Sequence, residues 1–431
     1  MHMEIYKSIL YYFISYIDKI EDEKEKSQFQ FLDDECCCYI GEYSDETIHK
    51  GRIPNNTRYL CIGNRYNQVF KKDIFPENLH TICIGHKYNK EIGKNILNRH
   101  LKELIFGAGF NKQFMRDVLP HGLIRLELGN DYNKKINKNI LPKTLRYLKL
   151  GHFFNFSIEK DVLPESLEEL EIGGCYQHPI YPDVLPYNLR KLKMFSFVNQ
   201  LEIPGIFPNS LREMILYNRG YEQNFIEGMI PEGVETLEIH RLKHRSNRYR
   251  NIIPTTVKKL KLIDYYGVFR SGFVHEGLEK LCIQNYEQKN MAKYSQHANR
   301  FQLKIESIPK SVIYFRLYVD KVEWIGNPDL SHLVYISLYN NKINISKKDL
   351  HCFIRRDSKN LSMKQIVLPD KMNNKILKSK VFLQHSFMDH HYPLENFLEW
   401  KIDEWKEIVK HKMMCIHELK ERINFPFIYV F

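Results

Sequence analysis

Apolar residues fall three, six and eight positions after a recurring proline, and the prolines themselves stand 22 residues apart. The slot is held by Pro54, Pro76, Asn98, Pro120, Pro142, Pro164, Pro186 and Pro208, an unbroken run of seven equal intervals. Its apolar followers include Leu101, Leu104 and Phe106, then Leu123, Leu126 and Leu128, then Leu145, Leu148 and Leu150. Spacing loosens afterwards, with Pro231, Pro254, His275, Pro309 and Leu330 in the slot, yet Val312, Phe315 and Leu317 keep the offsets. Thirteen units result.

Offsets six and eight are two residues apart, so on a strand they share one face, and residues five and seven take the other. Each unit therefore predicts a short strand with its apolar face turned inward. Gly63, Gly85, Gly107, Gly129, Gly151 and Gly173 follow directly, and glycine is expected there to tolerate the turn that ends the strand. Proline lacks an N–H and biases its predecessor toward extended backbone, which suits the approach to each strand. One unit cannot bury its apolar face alone, whereas stacked units share one continuous core. The expected architecture is a leucine-rich-repeat-like solenoid, a curved parallel β-sheet of thirteen coils about 60 Å long at roughly 4.8 Å per strand.

A second half-motif lies ten residues before the slot, where Tyr66, Tyr88, Phe110, Tyr132, Phe154 and Tyr176 recur. Asn67, Asn89, Asn111, Asn133 and Asn155 follow them, and Phe70, Ile92, Phe114, Ile136, Ile158 and Ile180 stand six before the slot. A side-chain amide both donates and accepts, so stacked asparagines can tie down loop backbone in adjacent coils. The combination of Phe/Tyr-Asn-x-x-Ile with Leu-Pro-x-x-Leu-x-x-Leu-x-Leu-Gly resembles the FNIP repeat family, leucine-rich-repeat relatives of social amoebae and their giant viruses. The resemblance is tightest from Tyr66 to Pro208. Beyond Pro208 the asparagine column fails, and twelve extra residues separate the His275 and Pro309 slots.

Outside the array, residues 1–50 are expected to form a helical N-terminal cap and residues 341–431 a mostly helical C-terminal cap. Ile9, Leu10, Phe13, Ile14 and Ile17 resemble the core of an F-box helix, which FNIP-repeat proteins often carry and which implies a substrate receptor docked to a cullin-type ubiquitin ligase. The segment lacks the opening Leu-Pro of that motif, and an amphipathic cap over the first coil is the alternative. After Asn340 the strand pattern ends, and Leu394–Ile423 carries one apolar stripe at helical spacing.

Composition adds little to the fold and more to the function. Nine cysteines without a secretory signal point to a reducing compartment, the cytoplasm, or the host cytoplasm if the protein is viral. No nucleotide-binding glycine loop, zinc-protease motif or nucleophile elbow occurs, so the expectation is a non-enzyme without cofactor or metal. Cys36-Cys37-Cys38 lacks ligand spacing, and His385, Asp389, His390 and His391 read as polar residues facing solvent before the last helix. Cys61 and Cys83 share offset seven of neighbouring coils and are expected side by side.

The candidate binding face consists of the residues at offsets five and seven. Its basic members are Arg125, Lys149, Lys191, Lys193, Lys259, Lys261, Lys280 and Arg316. Its acidic members are Glu103, Glu127, Glu169, Glu171, Glu213 and Glu238, and Tyr59, Tyr147, Tyr314 and Tyr335 add aromatic anchors. Such mixed charge suits a protein partner better than a polyphosphate, which needs one sign. The chain is expected to act as a monomeric protein-interaction scaffold, off the membrane. The net charge of +12 keeps nucleic acid or another anion as the alternative, through Arg241, Lys243, Arg245, Arg248 and Arg250 and through the flank 342–364.

Overall fold

A computed structural model describes residues 30–32, 37–40, 47–197, 200, 204–218, 225–242, 252–265, 267–285, 303–306, 308–318, 322–325, 335–339 and 353–357. The described chain is a parallel β-solenoid. Two strands precede the first proline, β1 (Gln30–Leu32) and β2 (Cys37–Ile40). The regular coils contribute β3 (Tyr59–Ile62), β4 (Thr81–Ile84), β5 (Glu103–Phe106), β6 (Arg125–Glu127), β7 (Tyr147–Lys149), β8 (Glu169–Ile172) and β9 (Lys191–Met194). Longer strands follow in β10 (Glu213–Tyr217), β11 (Thr236–His240) and β12 (Lys259–Ile263). The remaining elements are β13 (Gly267–Phe269), β14 (Lys280–Gln284), β15 (Leu303–Ile305), β16 (Tyr314–Tyr318), β17 (Val322–Trp324), β18 (Tyr335–Tyr339) and β19 (Phe353–Asp357). About nine turns run complete from strand to strand.

Among the described residues, sixteen strands make one sheet, and β13, β15 and β17 make a small parallel sheet of their own. Pairing in the large sheet is parallel and in register, Leu104 against Leu126 and Leu126 against Leu148, so every offset forms a column. The offset-three, six and eight columns are buried throughout, Leu101, Leu123, Leu145, Leu167, Leu189 and Leu211 completely. Each fully buried leucine contributes about 1.5–3 kcal/mol. Opposite them the rings of Tyr66, Tyr88, Phe110, Tyr132, Phe154 and Tyr176 stack with centroids 6.1–6.4 Å apart and planes within 12° of parallel.

Side-chain bonds to the backbone hold the coils in step. Asn67 Oδ1 accepts the N–H of Asn89 at 2.9 Å, and Asn89, Asn111, Asn133 and Asn155 pass the bond on at 3.0–3.1 Å. A second column stands two after the slot: Thr144, Ser166, Ser210, Thr256 and Ser311 donate their hydroxyls to the offset-three carbonyl of the preceding coil at 2.7–2.9 Å. Asn98 replaces proline because its amide donates to the Pro76 and Leu79 carbonyls while its Oδ1 accepts the N–H of His100. A third column, three before the slot, is left-handed: Gly51, Asp73, Asn95, Asp117, Asn139, Asp161, Asp183 and Gly205 all have φ between 60° and 82°. Asn, Asp and Gly are the residues that tolerate that conformation.

The glycines after the strands serve a different purpose from the one the sequence suggests. None of Gly85, Gly107, Gly129, Gly151 or Gly173 has a positive φ. A Cβ at each would collide with the backbone of the equivalent glycine one coil earlier. These glycines let neighbouring peptide groups touch, rather than letting the chain turn.

Parallel pairing also runs past both bounds drawn from the repeat. β2 pairs with β3, Cys38 facing Leu60 and Ile40 facing Ile62, and β1 closes that edge antiparallel. Residues 30–32 and 37–40 are therefore strands, not helix, and Cys38 and Ile40 supply the buried positions of a strand without a proline before it. At the other end β19 pairs with β18, so the strand pattern continues beyond Asn340. β15 lies at the end of the insertion and pairs with β13 and β17, Leu303 and Ile305 being fully buried. The helices expected over 5–17 and 394–423, and the cluster at 385–391, lie outside the described residues.

Candidate functional site

Burial alternates along the strands from β6 to β11, with the even offsets buried and the odd ones half-buried, so offsets five and seven share one partly exposed face over this stretch. It is not open along its whole length. On β3 to β5, Cys61, Thr81, Cys83 and Glu103 are buried, Glu103 to 4% exposure, and Thr81 Oγ1 lies 3.5 Å from Glu103 Oε2. Cys61 and Cys83 are register partners, and neither is in a disulfide. Tyr59, half-buried at this end, packs its ring 6.4 Å from that of His80.

From β6 to β11 the charges bind one another. Arg125 Nε donates to Glu127 Oε1 at 2.7 Å, and the guanidinium lies 3.5 Å above the Tyr147 ring centroid. Lys149 reaches Glu127 at 3.8 Å, Lys193 reaches Glu171 at 2.7 Å and Lys191 reaches Glu213 at 2.9 Å. Alternating sign at one offset, as in Glu127, Lys149, Glu171 and Lys193, puts opposite charges on adjacent strands, where cross-strand pairs interact. Burial raises the Glu171 carboxyl, but the Lys193 contact, Lys149 and the Tyr147 hydroxyl outweigh it and hold the group below its usual range. Burial, with Glu127 and Glu171 nearby, pushes the Tyr147 hydroxyl well above the ordinary phenol range. Glu169, in the β8 register beside Lys191, adds to the positive bias on that lysine, whose net shift is upward despite its burial.

Where the glycine column stops, aromatic rings take its place. Phe195, Tyr217 and His240 stand nine after the slot, on the same face as offsets five and seven. Their rings follow one another at 4.8 and 3.6 Å between centroids. His240 Nε2 lies 2.6 Å from Glu238 Oε1, and Lys261 reaches the other oxygen of Glu238 at 3.1 Å. The offset list missed these rings, although the failing glycines at 195, 217 and 240 were the visible signal.

The last strands carry a different set. Lys259, Lys280 and Tyr314 are successive register partners, as are Lys261, Cys282 and Arg316. Arg316 stands 5.7 Å from the Tyr314 ring centroid. In the basic loop, Arg241 has φ 58°, donates its N–H to Ile263 O at 2.7 Å and pairs with Asp264 at 3.7 Å. Its backbone thus anchors a turn, and its guanidinium lies beside Asp264. Lys243, Arg245, Arg248 and Arg250 lie outside the described residues, as do Ile9, Leu10, Phe13, Ile14 and Ile17. In the basic flank, Arg355 and Arg356 fall within β19.

The repeat geometry agrees with a family model. The FNIP Repeat model matches six overlapping stretches, 44–87, 88–131, 117–153, 132–175, 154–197 and 197–242. Residues 44–242 are FNIP repeats. Among solved structures, the chain is similar to CroV588, a circular leucine-rich-repeat protein of a giant virus, at 25% identity and a TM-score of 0.57. That likeness covers 77% of this chain and 51% of CroV588, so the chain spans about half the length of that protein. A leucine-rich repeat protein from Bacteroides ovatus is 12% identical, over 79% of this chain and 100% of the other, but its TM-score of 0.22 carries no weight. No curated protein matches the chain. The matched stretch covers β3 to β11, including the ring column, and the basic columns of β12, β14 and β16 lie beyond its end.

Proposed function

We propose that this FNIP-repeat protein is a non-enzymatic scaffold that binds a protein partner across the strand face of its sheet. The observation that carries this reading is the row of half-buried, alternately charged side chains and tyrosines from Arg125 to Glu238, held in register by a rigid core. Preorganised polar and aromatic groups of both signs select a partner by complementarity. Six carboxylates against four cations at offsets five and seven of β5 to β11 repel a phosphate backbone, which disfavours nucleic acid on this stretch. On the same reading the array extends to thirteen coils, is covered by helical segments at both ends and works as a monomer in the cytoplasm of the cell or host. The N-terminal helix serves as the ligase-adaptor contact.

Affinity capture on the full chain tests the proposal. Recovery of a protein that is lost with Arg125→Glu and Lys193→Glu supports it, and identical recovery with both overturns it. Capture of cullin machinery that needs residues 1–50 supports the adaptor role; its absence with the intact chain removes that role alone.

A further inference from the structure

Charge is segregated along the strand face. Through β5 to β11 carboxylates outnumber cations, six to four, and ion pairs bind many of them together. On β12, β14 and β16 the same two offsets hold Lys259, Lys261, Lys280 and Arg316, with no carboxylate among them. Lys261 already meets Glu238 at the boundary, so the basic zone begins where the ladder ends. Tyr314, buried in the Lys280 column, has the Arg316 guanidinium 5.7 Å from its ring centroid. The basic zone adjoins the ring column that ends in Tyr217 and His240.

We infer that β12, β14 and β16 form the docking zone for an extended acidic segment of a partner protein, a deepening that rests on the scaffold reading above. Lys259 and Lys280 stand on strands about 4.8 Å apart, and their long rotatable side chains can reach same-side carboxylates of an extended peptide, which lie about 6.8 Å apart. The polarity of the face selects protein over nucleic acid. A polyanion long enough to use all the cations would also run onto Glu238 and Glu213, whereas a peptide can be acidic over one zone and basic or apolar over the next. Charge complementarity of this kind governs encounter and specificity.

The test uses the full chain and a labelled synthetic peptide of alternating glutamate and valine, read by fluorescence anisotropy at low and physiological salt. Its counterpart with glutamine in place of glutamate and a single-stranded oligodeoxythymidine are the comparison probes. The acidic peptide is expected to bind, more weakly with added salt, and the glutamine peptide to fail. Lys259→Glu with Lys280→Glu is expected to weaken binding at least about tenfold, and Lys72→Glu with Lys87→Glu, the same charge change on the return side, to leave it unchanged. Thermal melts establish that each variant folds, and Lys259→Gln with Lys280→Gln replaces the reversal if it does not. Equal binding by the variants, no binding of the acidic peptide, or tighter binding of the oligodeoxythymidine overturns the proposal. A captured partner that depends on Arg125 and Lys193 while the acidic peptide does not bind leaves the scaffold reading standing and this one refuted.

Discussion

A methyl group on residue 107 would lie 2.5 Å from the carbonyl carbon of Gly85 and 2.7 Å from its oxygen. Both atoms belong to backbone, so nothing flexible can move aside. Gly107→Ala is expected to cost about 3 kcal/mol or more, since overpacking here separates two coils instead of shifting one side chain. Gly51→Ala meets no atom within 4 Å and strains φ alone, so its cost should be near 1 kcal/mol. Chemical denaturation of the two variants checks the contrast, and equal costs would refute the close-contact account.

The asparagine ladder makes a separate claim. Asn111 Oδ1 accepts the N–H of Asn133 across one coil. Asn111→Ala leaves that N–H to water and should lower stability by about 1 kcal/mol. Hydrogen exchange should quicken at residue 133 more than at the Leu126 amide in the adjacent strand. Uniform quickening would mean the ladder has no local role.

Tyr88 is the opposite case. Its hydroxyl is buried without a hydrogen-bond partner among the described residues, and burial drives its pKa far upward. Phe110 and Phe154 fill the same column one and three coils further on. Tyr88→Phe is expected to be neutral or to stabilise by about 1 kcal/mol, because an unsatisfied buried hydroxyl is removed without loss of ring packing. A melting temperature that falls clearly below that of the parent contradicts this.

The charge ladder should be visible in acid. The Glu171 carboxyl is held below its usual range in the folded chain, so its contribution is present above the ordinary carboxylate range and is lost as pH falls through the folded value. Lys193→Met removes the main cation and leaves burial to raise the Glu171 pKa. The variant should lose about 2 kcal/mol near neutral pH and show a shallower fall in stability on acidification. Parallel curves for variant and parent, measured by denaturant titration across pH, would exclude the ladder as the cause.

Much of this fold was legible because leucines at offsets three, six and eight obey the two-residue period of a strand, and one residue type marks each position. Columns spread over several residue types were harder to see. The left-handed position alternates among Gly51, Asp73 and Asn95, and the hydroxyl position between Thr144 and Ser166, so neither forms a motif until the backbone shows what they share. β2 escaped because Cys38 stands where a leucine was sought, and β19 because Arg356 occupies the place of Leu338. For the candidate face, offsets five and seven named the side chains correctly but not their pairing. Lys193 meets Glu171 only because register places them on adjacent strands, and the buried state of Cys83 and Glu103 depends on neighbours that the period does not specify.

The glycine contacts also bear on how the array can be re-ordered. From Gly63 to Gly173 each strand ends peptide against peptide on the coil before it, at a separation that only a residue without a side chain permits. Phe195, Tyr217 and His240 stand at the same offset in the later coils, with ring against ring as well as strand against strand. A lengthened array can therefore duplicate the glycine coils among themselves, but not interleave them with the ring-bearing ones.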